Sequence, residues 1–133
     1  MIERIQNLLR ANGIKPSHHR IKVYQYLIEK RNHPSVDMIY QELVRNIPTL
    51  SKTTVYNTLN LFLEKGIAVM ITIDENETRY DADTSLHGHF RCNGCEEIYD
   101  LRLDTSALEW ESLDEFEISE SHLYFKGLCP RCH

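Results

Sequence analysis

Two cysteine pairs carry the clearest chemistry in this sequence. Cys92-Asn93-Gly94-Cys95 and Cys129-Pro130-Arg131-Cys132 each separate their thiols by two residues. Four thiolates suit a tetrahedral zinc ion, and the short gap lets each pair close on it through a tight turn. Gly94 and Pro130 are apt residues for such turns. The 33 residues between the pairs exceed common zinc-ribbon spacing, so a strand and a helix must fit between them. Disulfides belong to exported chains, and Met1-Ile2-Glu3-Arg4 lacks the basic-then-apolar layout of an export signal. A thioredoxin-like redox pair would account for one of the motifs but not both. The pattern predicts one structural zinc per chain on Cys92, Cys95, Cys129 and Cys132.

A second kind of donor lies nearby. The chain has seven histidines, and His18, His19 and the terminal His133 read as surface residues. His87-Gly88-His89 reads differently, because residues i and i+2 of a strand share a face and both imidazoles can converge on one point. Asp81 precedes this pair and Asp100 follows the first cysteine motif. Imidazole with carboxylate suits iron, manganese or zinc rather than a soft thiolate site. The other acids of this region, Glu109, Glu111, Asp114, Glu115 and Glu117, are expected to form a solvated face.

These donors need elements to position them, and composition bounds what those can be. The 133 residues (15.7 kDa) allow one ordinary domain or two very small ones, at 41% hydrophobic and 26% charged. No run approaches the roughly 18 apolar residues of a membrane span, so the chain reads as soluble and cytoplasmic. The net charge of −5 hides an asymmetry. Residues 1–71 hold ten Lys/Arg against five Asp/Glu (+5), and residues 72–133 hold five against fifteen (−10). Two modules with different partners follow, the basic one facing an acidic polymer. Modules this small have marginal cores, and the cysteines are the obvious staple.

Four helices are legible in the basic half. Ile2, Ile5, Leu8 and Leu9 recur at helical spacing up to Gly13, and Ile21, Tyr24, Leu27 and Ile28 form a second pattern after Pro16. Ser35 caps a third helix with Ile39, Tyr40 and Leu43, which Pro48 ends. Ser51 caps a fourth, with Val55, Leu59, Phe62 and Leu63 on one stripe and Gly66 as its stop. The β-branched run Ile67–Ile73, the polar turn 74–77 and Thr78-Arg79-Tyr80 complete a hairpin. Helices followed by a hairpin predict a winged helix-turn-helix over 1–81, with 82–86 a linker. Beyond it, strands are expected around Phe90-Arg91, 98–101 and 122–125, with a helix near 105–113. The expected class is α+β, a winged helix followed by a small α/β dimerisation domain over 87–133 with the four-cysteine zinc site.

In order along the chain, His33-Pro34-Ser35-Val36-Asp37-Met38-Ile39-Tyr40 and Ser51-Lys52-Thr53-Thr54-Val55-Tyr56-Asn57-Thr58-Leu59 resemble the ferric uptake regulator family. Arg79-Tyr80-Asp81, His87-x-His89, Cys92-x-x-Cys95 through Asp100-Leu101, and Gly127-Leu128-Cys129-Pro130-Arg131-Cys132 continue the match. The resemblance implies a homodimeric, metal-dependent transcriptional repressor of operator DNA, neither an enzyme nor a membrane protein. It is similar to the peroxide-sensing branch in two places. Asp100 stands where iron-uptake regulators have Glu, and Asn57 replaces an Arg. By carry-over, the regulatory site is His33, Asp81, His87, His89 and Asp100, holding one Fe(II) or Mn(II) per chain. A further site of iron-uptake regulators uses positions 86 and 88. Leu86 and Gly88 cannot ligate, which leaves His122 without partners and that site absent.

The implied ligands come from both modules, with His33 from the basic half and Asp81 at the hinge. A metal joining them to His87, His89 and Asp100 sets the spacing of two recognition helices, and its loss releases DNA. The helix from Ser51 is expected in the major groove with Thr53, Thr54, Tyr56 and Asn57 exposed, Asn suiting adenine and Tyr a thymine methyl. Lys15, Arg20, Lys22 and Lys52 are phosphate candidates. Five protein ligands leave a sixth position on ferrous iron for peroxide, and His33 and His87 match the imidazoles that the branch oxidises. The alternatives are sensing by cysteine oxidation, an iron, manganese or zinc uptake regulator that answers to metal level alone, and a non-haem iron enzyme. That enzyme would need an organic-substrate pocket and no recognition helix.

Overall fold

A computed structural model of the chain describes residues 1–74, 76–85, 87–103 and 111–133. It divides into two compact units, Met1–Thr84 and Ser85–His133. Among the described residues, no helix is long and apolar enough to cross a membrane.

The first unit begins with four helices: α1 (Ile2–Ala11), α2 (His18–Lys30), α3 (Val36–Leu43) and α4 (Lys52–Glu64). Local chemistry sets their ends. Serine side chains cap three N-termini: Ser17 accepts from the Arg20 amide (3.4 Å), Ser35 from Met38 (3.2 Å) and Ser51 from Thr54 (3.1 Å). Each satisfies an amide that the first helical turn leaves without a partner. Gly13 and Gly66 lie at φ +74° and +73°, the left-handed region where glycine meets no β-carbon penalty. On α4, Val55, Leu59 and Phe62 are fully buried, and Phe62 meets Tyr24 of α2 edge-on at 5.6 Å. Burying each such side chain is worth about 1.5–3 kcal/mol. Ile5, Leu9, Ile21, Leu27 and Ile39 complete the centre of this core.

Two boundaries differ from the sequence reading. Helix α3 stops at Leu43, well before Pro48. The chain then coils through hydrogen-bonded turns, Ile47 N–H to Leu43 O (3.0 Å) and Leu50 N–H to Ile47 O (2.9 Å), because Ile47 and Leu50 are drawn into the core. The extended run after α4 yields only a three-residue strand, β1 (Val69–Ile71), antiparallel to β2 (Arg79–Asp81) with Met70 opposite Tyr80. Ile67 cannot join that ladder, since its amide bonds the Phe62 carbonyl at the end of α4 (3.0 Å).

The second unit is a three-stranded sheet ordered β4-β3-β5, from β3 (Gly88–Cys92), β4 (Ile98–Leu101) and β5 (Leu123–Gly127). β3 runs antiparallel to β4 and parallel to β5. Most of the helix expected near 105–113 falls on residues 104–110, outside the described residues, and Glu111–Leu113 form a single 3-10 turn. Among the described residues of this unit only Gly88, His89, Cys92 and Cys129 are buried. Apolar burial among these described residues is small for a unit that must hold itself together. The class is α+β, with a winged helix followed by a small sheet carrying clustered cysteines.

Candidate metal centres and nucleic-acid face

The cysteine cluster follows from strand register. Because β3 and β5 are parallel with Cys92 beside Gly127, both cysteine turns leave the sheet at the same end. The Sγ atoms of Cys92, Cys95, Cys129 and Cys132 lie within 4.8 Å of one another, Cys95 and Cys129 at 3.9 Å. Tetrahedral zinc with Zn–S bonds of about 2.3 Å sets its sulfurs about 3.8 Å apart, so the donors fit that ion. Backbone amides of Gly94 (3.3 Å), Cys95 (3.4 Å) and Cys129 (3.3 Å) point at the Cys92 sulfur. Donation, first from Cys95 and then Cys129, holds the Cys92 thiol down to about 6, while hydrogen bonding to Cys129 and Cys92 pushes Cys132 up to about 12. Gly94 leaves the room this turn needs, since a β-carbon there would come within 3.0 Å of the Cys132 Sγ.

In the same unit, His87 and His89 converge on Asp100. Antiparallel pairing sets His89 directly opposite Asp100, and the Asp100 Oδ1 lies 3.3 Å from His89 Nε2 and 3.5 Å from His87 Nε2. The imidazole centroids are 4.4 Å apart. His87 directs Nδ1 to the Ser85 carbonyl (2.8 Å), which leaves Nε2 toward Asp100. Both histidines are largely shielded, whereas Asp100 is half exposed. Two imidazole nitrogens and the Asp100 carboxylate therefore converge on one point, with the carboxylate accessible. His122 contacts Glu120 (3.4 Å) and Tyr124 (3.1 Å). Leu86 lies outside the described residues.

In the first unit, His33 and Asp81 meet, with Nε2 and Oδ2 3.8 Å apart and both side chains nearly buried. The pairing joins the loop after α2 to β2. Arg79, missed as a site residue in the sequence reading, sits beside it. Its guanidinium donates to the His33 carbonyl at 3.2 Å and pairs with Asp74 at 3.3 Å. The signal was present: Arg79 and Asp81 are i and i+2 on a strand and share a face.

The outer face of α4 is polar. Lys52, Thr53, Tyr56, Asn57 and Asn60 are exposed, Thr54 is half-buried, and Thr58 turns inward to donate to the Thr54 carbonyl at 2.7 Å. A cleft of about 390 Å³ lies between this face and the start of α2, lined by Lys15, His19, Arg20, Thr54 and Asn57 among others. Lys15 and Arg20 are linked, the Arg20 guanidinium donating to the Lys15 carbonyl at 3.0 Å. Lys52 lies over the Tyr40 ring, its Nζ 5.6 Å from the centroid. Of the candidate phosphate and base contacts, Lys15, Arg20, Thr54 and Asn57 line this one cleft.

Residues 11–126 match the model of the ferric uptake regulator family. The chain is 31% identical over 127 residues to the peroxide-responsive repressor PerR of Staphylococcus epidermidis, which covers 93% of this chain and 85% of that protein. Among solved structures it is similar to PerR from Streptococcus pyogenes, described in terms of peroxide sensing and gene regulation (28% identity, TM-score 0.56, 99% of this chain and 92% of that one). The Helicobacter pylori ferric uptake regulator Fur shares the fold at TM-score 0.77 and 19% identity, over 98% of this chain and 90% of that one.

Proposed function

Because the chain belongs to the ferric uptake regulator family, whose members are transcriptional regulators and not enzymes, we propose that it is a dimeric, metal-dependent repressor that senses hydrogen peroxide. The observation that carries this reading is the convergence of His87 and His89 on Asp100. The name of the S. epidermidis relative supports it. Residues 1–81 bind operator DNA, 82–86 form the hinge and 87–133 form the dimerisation domain.

The cysteine cluster holds one zinc per chain and staples the second unit. The small number of buried side chains among the described residues of that unit favours this. Phe116, Ile118, Phe125 and Leu128 are exposed in the single chain and await a partner. A second copy of the same unit is the proposed cover, which makes the repressor a homodimer.

The regulatory ligands are His33, Asp81, His87, His89 and Asp100, three imidazoles and two carboxylates for one Fe(II) or Mn(II) per chain. These residues would hold ferrous iron, which would supply an electron for reductive cleavage of the O–O bond of peroxide. His33 and His87 are the imidazoles proposed to take up oxygen, and an oxidised ring ligates poorly. Losing either ligand separates the DNA-binding module from the dimerisation module and changes the spacing of the recognition helices. The α4 face reads bases through Thr53, Thr54, Tyr56 and Asn57, while Lys15, Arg20 and Lys52 hold phosphates.

The deciding experiment is an operator titration of metal-controlled protein, with Fe(II) and with Mn(II), before and after dilute peroxide. The iron form alone should lose DNA affinity. Equal retention by both forms would identify a regulator of metal level without peroxide sensing.

A further inference from the structure

We propose that Arg79 is a positioning residue for the regulatory metal, clamping His33 in the backbone conformation that turns its imidazole toward Asp81. This rests on the reading of His33 and Asp81 as metal ligands.

His33 lies at φ +50°, in the left-handed region. A residue with a β-carbon persists there only where its surroundings over-determine it. The surroundings here are β2 and the turn before it. Arg79 Nη1 donates to the His33 carbonyl (3.2 Å), and the next residue, Tyr80, donates its amide to the Pro34 carbonyl (3.0 Å). The guanidinium is itself fixed. Nη2 pairs with Asp74 (3.3 Å) and Glu77 (3.4 Å), and Nη1 also reaches Met38 Sδ (3.4 Å). Asp74 is anchored in turn, its Oδ1 accepting the Asn76 amide (2.9 Å). The Arg79 side chain is 17% exposed and that of Asp74 is 8%, so the pair is shielded from solvent. One strand therefore supplies both a ligand, Asp81, and the clamp on its counterpart, His33. A planar fork can bond a carbonyl and a carboxylate at once, which a lysine ammonium on a flexible stem does poorly.

The test is Mn(II) affinity of the zinc-loaded protein, followed by the electron paramagnetic resonance of free Mn(II). Zinc content and thermal unfolding are measured alongside. His33→Ala should abolish tight binding. Arg79→Gln should weaken it about 10- to 100-fold, the range for partners that orient a ligand. Arg79→Lys should fall between Arg79→Gln and the parent, and it carries the test if Arg79→Gln does not fold. Asp74→Asn removes the ion pair but keeps the bond to His33, so it should lower thermal stability without a comparable loss of affinity. Parent-like affinity in both Arg79 variants overturns the proposal. So does an Asp74→Asn loss as large as that of Arg79→Gln, since Arg79 then only stiffens the turn. Unchanged affinity in His33→Ala removes the ligand assignment itself, and the proposal with it.

Discussion

Lys52, in the first turn of α4, donates to the Asp37 carboxylate in the first turn of α3 across 2.6 Å. The lysine proposed to bind a DNA phosphate is thus already engaged with an anion, one whose pKa it lowers. DNA must compete with Asp37 for it.

This competition sets opposite signs for two substitutions. Lys52→Ala should weaken binding to all sequences alike and reduce the salt slope by about one. Asp37→Asn should tighten binding, because it frees the ammonium and removes a negative charge facing the duplex. Asn57→Ala should instead relax base preference, by roughly 1–3 kcal/mol for a bidentate contact. Fluorescence anisotropy across salt concentrations and operator variants separates the three, and a sequence-selective effect of Lys52→Ala would contradict the assignment.

Zinc should be inseparable from folding of the second unit. Structural zinc contributes on the order of 10 kcal/mol to a small domain, and among the described residues this unit buries little else. Cys129→Ser should therefore lose metal and dimer together. Gly94→Ala should retain zinc less well, because its new methyl presses on Cys132. A zinc-free Cys129→Ser protein that stays folded and dimeric by sedimentation would refute this.

Zinc affinity should fall as pH is lowered, and more steeply below about 6. With Cys92 held down to about 6 and Cys132 pushed up to about 12, neutral solution leaves the first a thiolate and the second a thiol. Zinc must then displace a proton from Cys132 at pH 7, and a further one from Cys92 once pH falls through about 6. A weakly buffered titration should show proton release with each zinc bound; none would refute the assignment.

Peroxide should add one oxygen atom to a peptide containing His33 or His87 in the iron form, and leave the manganese form unmodified. The four cysteines should stay on zinc. Asp100→Glu should preserve metal-dependent binding and blunt the peroxide response, since a longer arm moves the carboxylate that lies 3.3 Å from His89. Mass spectra showing disulfides at the cysteine pairs and intact histidines would place the sensor at the zinc site.

Features set by neighbours three or four residues away are legible in the sequence alone. The Ser35 and Ser51 caps, the stops at Gly13 and Gly66, and the buried stripe of Val55, Leu59 and Phe62 depend only on helical geometry. The CxxC pairs and the His87-x-His89 pair are equally local, because each puts its groups in one turn or on one strand face, whereas His33, Asp81 and Asp100 were joined to them as one ligand set only by the family resemblance. Other features needed partners far along the chain. Tertiary structure decided that α3 stops at Leu43, because Ile47 and Leu50 gain more by entering the core than by extending a helix. It shortened β1 to three residues, because the end of α4 takes the Ile67 amide. It set β3 parallel to β5, the register that gathers four sulfurs from motifs 33 residues apart. It also brought Arg79 to the carbonyl of His33, 46 residues away. Spacing along a chain specifies which groups can share a turn; only the pairing of distant strands specifies which turns meet.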